Sequence, residues 1–461
     1  MIFSSITFLF YFLPIVLSIY YLSPRKHKNI VLLISSLIFY FYGEPKYTLL
    51  MIFSIISTYI FGILISKYKK NSKLFLELSI VVSVGILIYF KYFNFIIENI
   101  NLWITNKIDF IYVALPIGIS FYTFQMISYL IDVYRGQAKV QKNFVKLAMY
   151  ISLFPQLIAG PILRYATIEE QIENRTHSFE KFALGVRRFI IGLGKKVLIA
   201  NILGELTEIF LQSNNLSILY YWLYGIAVML QIYFDFSGYS DMAIGLGKMF
   251  GFDFLENFNY PYIATSITDF WRRWHISLSS WFRDYVYIFL GGNRVSKIKW
   301  LRNILIVWLL TGLWHGAAWN FIIWGLFFGI LLIIEKLFLN SFLEKIPKFL
   351  KRIYVLFIVM ISFIIFSGEN FNQIIKNIEG LIGIGNIPII SKESIYYFKS
   401  YFVVILVGII GSTPLLKNIT SDTKFNKINN ILEPIFLFLI LLFCTSYIID
   451  GSFNPFLYFR F

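Results

Sequence analysis

Cysteine is all but missing: the 461-residue chain has one, Cys444, inside an apolar run. A lone apolar thiol excludes a disulfide framework and a thiolate metal cage, and it gives no support to cysteine nucleophilic catalysis. Charge is also sparse, at 14% of residues. The longest polar stretches, around residues 165–182 and 367–397, are too short to bury an independent core, so no extramembrane domain is expected. The glycines lack phosphate-loop spacing, and no Ser, His and Asp set stands out as a triad. No motif is duplicated, which argues against the internal repeats of many secondary transporters.

What the chain has in abundance is apolar surface. Hydrophobic residues make up 58% and aromatics 20%, and the mean hydropathy is +0.70. Windows of about 20 mostly apolar residues begin near Met1, Asn29, Leu49, Leu74, Ile111, Tyr220, Leu301, Asn320, Ile353, Tyr401 and Ile431. They do not alternate as barrel strands do, so the class is an all-α polytopic membrane protein with about 10–12 spanning helices. The first window has no basic start and no small-residue cleavage site, and is expected to stay as an anchor.

The net charge of +16 is explained by position. Arg25, Lys26 and Lys28, then Lys67, Lys69, Lys70 and Lys73, then Arg135, Lys139, Lys142 and Lys146 occupy alternate loops, while the loops between hold only Lys46, Lys91 and Lys107. That bias puts the N-terminus outside and the basic loops in the cytoplasm. Lys345, Lys348, Lys351 and Arg352, and later Lys417, Lys424 and Lys427, mark further inner loops, leaving the closing "NPFLYFRF" outside. The excess cations face lipid headgroups and cytosol, and no nucleic acid is expected. The abundance of Ile, Lys, Asn, Phe and Tyr points to an AT-rich bacterial genome.

A single membrane domain over residues 1–461 is the economical organisation, with generic flanks at 1–110 and 326–461 and an informative middle at 115–325. There Pro116, Gly118, Pro155, Gly160 and Pro161 fall near membrane depth. Proline removes a backbone donor, so these segments bend or re-enter, against protein or a water-filled cavity.

Residues 254–294 are too polar to span yet crowded with aromatics. At 100° per residue Trp271, Trp274, Leu278, Trp281, Phe282 and Tyr285 share one arc, with Arg272, Arg273 and Arg283 opposite, as in an amphipathic helix capped by Thr268 or Asp269 and stopped by Gly291 and Gly292. For the Trp and Arg residues, an interfacial helix is the plain reading. His275 sits at the edge of the apolar arc and faces inward. In "TGLWHGAAWNFIIWG" (311–325), Trp308, Thr311, Gly312, His315 and Trp319 are expected on one face, where Gly312 and Gly316 admit a neighbouring helix. His27 and His177, the other two histidines, lie in basic or polar loops.

Burial favours a neutral imidazole, the form a general base needs. Metal binding is weakly supported, because 40 residues separate His275 from His315 and neither has a close-spaced ligand. Asp235 and Asp241, with Ser237, Tyr239 and Ser240, end an apolar span. The carboxylates orient an imidazole, pair with Arg272 or Arg273, or cap a helix, with structural pairing preferred.

The stretches "YFDFSGYSDMAIGLGKMFGF", "NFNYPYIATSITDFWRRWHISLSSWFRDYVYIFLGGNR" and "TGLWHGAAWNFIIWG" closely resemble the membrane-bound O-acyltransferases, in particular the bacterial polysaccharide O-acetylation branch. "LPIGISFYTFQ", "FPQLIAGPILRY" and "NPFLYFRF" are similar too. The resemblance implies a helical bundle with re-entrant and interfacial helices around a central tunnel, in a bacterial plasma membrane. It implies catalytic roles for His315, which takes a proton from an acceptor hydroxyl, and His275, which positions or polarises the acyl carbonyl. Trp271, Arg272, Arg273, Trp274, Asp235, Ser237, Tyr239, Asp241, Thr311, Trp314 and Asn320 become tunnel-lining or substrate-binding candidates. No resident cofactor or metal is implied. The acyl donor is a cytoplasmic thioester such as acetyl-CoA, and the partners are an extracytoplasmic esterase-like protein and a polysaccharide acceptor. An AT-rich host favours peptidoglycan, cellulose or another wall glycan. The rivals are D-alanyl transfer to teichoic acid by a sister branch, and a transporter or export channel without chemistry.

Overall fold

The computed structural model describes residues 1–111, 113–420 and 426–451, and among these residues the secondary structure is helical with no strand. Among the described residues, seven helical runs are long and apolar enough to cross a membrane: Pro45–Lys67, Lys69–Asn101, Ile218–Met249, Trp319–Lys345, Lys348–Ser367, Lys392–Gly411 and Ile431–Ile449. The chain is an all-α, multi-pass membrane protein. The remaining apolar windows fold as shorter or more polar helices, namely Thr7–Leu22, Lys28–Gly43, Ile119–Arg135 and Lys297–His315. By length and apolarity, fewer runs than ten to twelve qualify, because a 16-residue helix such as Lys28–Gly43 rises only about 24 Å against a hydrocarbon core of about 30 Å. Residues 179–212 form a continuous helical run that no apolar window announces, since Arg187, Arg188, Lys195 and Lys196 interrupt its hydropathy. "NPFLYFRF" and Lys424 lie outside the described residues.

Two compact units emerge, Met1–Phe189 with Met242–Leu255, and Ile190–Asp241 with Glu256–Phe461. In the first, Phe8, Phe12, Phe39 and Phe154 stack around one another, with Phe12 and Phe39 lying 5.4 and 5.5 Å from the Phe154 ring. The proline-bearing segment 153–163 is buried throughout and irregular apart from the single helical turn Phe154–Leu157, so its bends are held by protein. Gly118 has φ +74 before helix Ile119–Arg135, and a Cβ there would meet the Leu157 carbonyl oxygen at 2.6 Å. Lys91, expected in an outer loop, instead lies buried within the run Lys69–Asn101, where its ammonium donates to Ser120 Oγ at 3.2 Å. A four-carbon stem can reach an internal hydroxyl from a helix, which loop counting does not foresee.

The first unit also carries a charged network. The Tyr20 hydroxyl donates to the Phe250 carbonyl at 2.7 Å and meets Arg175 Nε and His177 Nε2, each at 2.8 Å. Lys28 lies over the Tyr20 ring, and Lys181 and Lys248 pair with Asp253 at 2.6 and 3.0 Å.

In the second unit, Lys297–His315 and Trp319–Ile334 form a tight helical hairpin. A Cβ on Gly312 would lie 2.3 Å from the Phe321 carbonyl oxygen, and one on Gly325 2.3 Å from that of Trp308, so only glycine admits the approach. Glu335, 1% exposed at the far end of the second helix, accepts from the Ile267 and Thr268 amides at 2.7 and 2.9 Å and from the Thr268 hydroxyl at 2.9 Å. It thereby satisfies first-turn donors of helix Ile267–Arg273.

Candidate functional site

The stretch 267–290 is not one helix. Helix Ile267–Arg273 ends, and Ile276–Phe282 begins after His275, whose backbone is left-handed at φ 44, ψ 54. The turn re-aims the chain at the histidine, at a conformational cost of about 1–3 kcal/mol that the surroundings must offset. Ser266, rather than Thr268 or Asp269, is the N-cap, its hydroxyl accepting from the Asp269 amide at 3.0 Å. Gly291 and Gly292 do stop the segment, with φ +96 and +57. Despite the break, Trp271, Trp274, Leu278, Trp281, Phe282 and Tyr285 are all buried, while Arg272 and Arg283 are exposed.

Segment 257–259 holds the turn in place. The Asn257 carbonyl accepts from the Ile276 amide at 3.0 Å, and Asn259 N–H donates to the Arg273 carbonyl at 2.9 Å. The Asn257 side-chain oxygen meets the Ser277 amide at 3.1 Å, the Ser277 hydroxyl at 2.9 Å and His275 Nδ1 at 3.2 Å. His275 is 1% exposed, with the Phe236 ring 4.6 Å away edge-on. Burial pushes its imidazole down to about 3, so the ring is neutral at physiological pH. Its Nε2 is buried and has no hydrogen-bond partner among the described residues.

His315 is the last residue of helix Lys297–His315, and extended backbone follows at Gly316. The ring packs against Trp324 at 4.8 Å, Trp314 at 5.0 Å and Phe366 at 5.2 Å. Trp314 also lies 5.8 Å from His275. Forty residues apart in sequence, the two histidines thus share one indole. The expected face is broken at its end: Trp319 starts the next helix and is half exposed, because the chain turns at 316–318 instead of continuing helically. Trp271 joins the aromatic wall through Trp308 at 4.7 Å and Trp324 at 5.7 Å.

Other candidates have structural work. Asp235 pairs with Lys196 at 2.6 Å, both almost fully buried, and Asp241 with Lys195 at 2.7 Å. Their partners are these lysines, not Arg272 or Arg273. Arg273 instead bonds Asp269 at 2.8 Å. A Cβ on Gly238 would lie 2.8 Å from the Gly192 carbonyl oxygen, and this close approach seats the lysine pair. Ser237 and Tyr239 are buried on the same helix. Thr311 donates back to the Val307 carbonyl, and the Asn320 amide donates to the Phe366 and Gly368 carbonyls at 3.0 and 3.1 Å, fixing the end of helix Lys348–Ser367. Sequence reasoning did not single out Asn257, Ser277, Lys195, Lys196 or Glu335. The last three had a readable signal, charges set within apolar runs.

The family model for membrane-bound O-acyltransferases matches residues 36–375. A probable alginate O-acetylase of Azotobacter vinelandii is 45% identical over 377 residues, covering 80% of this chain and 76% of its own length. A peptidoglycan O-acetyltransferase of Helicobacter pylori is 34% identical over 434 residues, with 86% and 82% covered. A teichoic acid D-alanyltransferase of Bacillus subtilis is 32% identical over 278 residues, covering 56% of this chain and 70% of its own.

Proposed function

The chain belongs to the membrane-bound O-acyltransferase family and is an O-acyltransferase, and from that premise we propose that it moves an acetyl group from acetyl-CoA, or a similar cytoplasmic thioester, across the bilayer for O-acetylation of an exported or cell-wall polysaccharide. The cell membrane is its location, with the N-terminus outside by the loop-charge bias. A separate extracytoplasmic esterase-like protein completes the transfer to the glycan.

The observation that carries this reading is the pair of buried histidines packed on one tryptophan, each at a helix end, in a wall of aromatic rings. In the transfer, an acceptor hydroxyl oxygen bonds the acyl carbon as the carbon–sulfur bond breaks. His315 removes the hydroxyl proton and returns it to the leaving thiolate, while His275 orients the reactants. At the C-terminal end of its helix, His315 gains positive charge where the helix dipole favours it. The aromatic wall keeps water from intercepting the thioester.

Greater identity and coverage with the two O-acetylating relatives than with the D-alanyltransferase favour acetyl over D-alanyl. Mass spectrometry of the host's surface glycans, with and without this gene, tests the reading. Loss of O-acetyl esters from one polysaccharide is expected. Loss of D-alanyl esters instead, or unchanged glycans with altered export, would overturn it.

A further inference from the structure

Asn257 fixes which nitrogen of His275 carries the proton. The Ser277 backbone N–H, a donor that cannot accept, lies 3.1 Å from the Asn257 side-chain oxygen, so the amide's orientation is set: oxygen toward Ser277, nitrogen away. The Ser277 hydroxyl is 2.9 Å from that oxygen and 3.5 Å from His275 Nδ1, so its proton also goes to Asn257. His275 Nδ1 faces the same oxygen at 3.2 Å. Two lone-pair atoms would repel at that distance, so Nδ1 must bear the hydrogen. The neutral ring then has a bare lone pair at Nε2.

We infer that Asn257 is a positioning residue that locks His275 in its Nδ1–H form, so that the histidine meets the reactants through Nε2 as a hydrogen-bond acceptor. This rests on the acyl-transfer reading and changes one role within it. Polarising an acyl carbonyl needs an N–H at Nε2, which this tautomer lacks. His275 instead accepts a hydrogen bond from a second O–H of the incoming acceptor, leaving the single proton of the reacting hydroxyl to His315. The orphaned Nε2, buried without a partner among the described residues, is where that group binds. The groups facing the ring, Phe236, Trp314, Asn257 and Ser277, are all uncharged. Of the charges nearest in sequence to this shell, Asp235 pairs with Lys196 and Arg273 with Asp269, while Glu256 and Arg272 are exposed at the surface. The left-handed turn at His275 is held by the same asparagine through its backbone carbonyl and the Ile276 amide.

Two measurements on the full-length protein in lipid nanodiscs test this. Nitrogen-15 spectra of histidine-labelled protein, assigned by comparison with His275→Gln, should show a protonated Nδ1 and an unprotonated Nε2 at neutral pH; a protonated Nε2 overturns the inference without reference to activity. Thioester turnover supplies the second. Asn257→Asp keeps every accepting contact and adds a negative charge, so it should hold activity within about tenfold at alkaline pH while moving the acid limb of the pH–rate profile up by about one unit or more. Asn257→Ala should lower kcat by roughly 10- to 100-fold, as loss of an orienting partner does elsewhere. An Asn257→Asp profile identical to wild type sinks the positioning role. Full turnover in His275→Ala sinks the functional reading itself, and the spectra then still report on the tautomer.

Discussion

His275 and His177 are both held neutral by the protein, one driven to about 3 and the other to about 4, yet the causes differ. Around His275, burial acts alone. For His177, burial leads and the cations Lys28, Arg175, Lys181 and Arg25 add to it. His177 is half-buried and its Nε2 is already engaged by the Tyr20 hydroxyl, whereas His275 Nε2 is buried with no partner among the described residues. A suppressed imidazole is therefore not in itself a sign of catalysis. What separates the two is an unused lone pair inside aromatic packing, against a satisfied ring in a solvated basic network.

His315→Ala should lower acyl transfer by at least about 100-fold, the low end for positioned proton transfer, while membrane levels of the protein stay normal. His177→Gln, which retains a donor for Tyr20, should leave transfer within about twofold at neutral pH. Acetyl ester content of the surface glycan, normalised to protein in the membrane fraction, reads both. Equal losses would mean that packing around His315, not its chemistry, was disturbed.

The two networks also differ in what their ion pairs contribute. Asp235→Asn strands Lys196 in a site where both partners are almost fully buried, and should destabilise by about 3–5 kcal/mol. Asp253→Asn removes two pairs whose carboxylate is 57% exposed, and should cost no more than about 1 kcal/mol. Thermal unfolding in detergent compares them directly. Glu335→Gln belongs between: it keeps one accepting oxygen for the amides of Ile267 and Thr268 but offers a donor in place of the other, a loss of about 1–3 kcal/mol.

These differences mark how far the sequence could be read. The burial of His315 and His275 was legible because a scarce ionisable residue set in apolar or aromatic surroundings is costly and therefore informative. The burial of Trp271, Trp274 and Trp281 followed from helical spacing even though the helix breaks at Trp274–His275, since each half keeps the period. The break itself was invisible: no glycine or proline marks it, and it depends on Asn257, 18 residues upstream. Trp319 was misplaced for a related reason, because Gly316 opens a turn that a continuous helical wheel ignores. The lysine partners of Asp235 and Asp241 come from another helical segment, and side-chain pairing across such distances has no periodic signature. Local spacing reports which side faces in; it does not report which distant atom closes a hydrogen bond.

The smallest effect separates the two histidines by pH. In the unfolded chain His177 titrates near 6.5, and in the folded protein near 4. Between those values the unfolded state binds a proton that the folded state refuses, so stability is full above about 6.5 and falls as the pH drops toward 4, by at most one proton's worth of linkage. Because His177 is only partly buried, solvent screens part of that loss. Protonation leaves the hydrogen bond to Tyr20 possible, since Nε2 can still donate; the penalty comes first from burying the new charge and then from placing it beside Lys28, Arg175 and Lys181. His177→Gln cannot take the proton, so its melting temperature should decline less than that of wild type between pH 6.5 and 5, a range where most carboxylates remain ionised. The difference should appear in unfolding curves and not in acyl transfer measured at neutral pH. If the two proteins lose stability in parallel over that range, the cationic cluster does not oppose protonation of His177, and the charge-based half of the contrast with His275 fails.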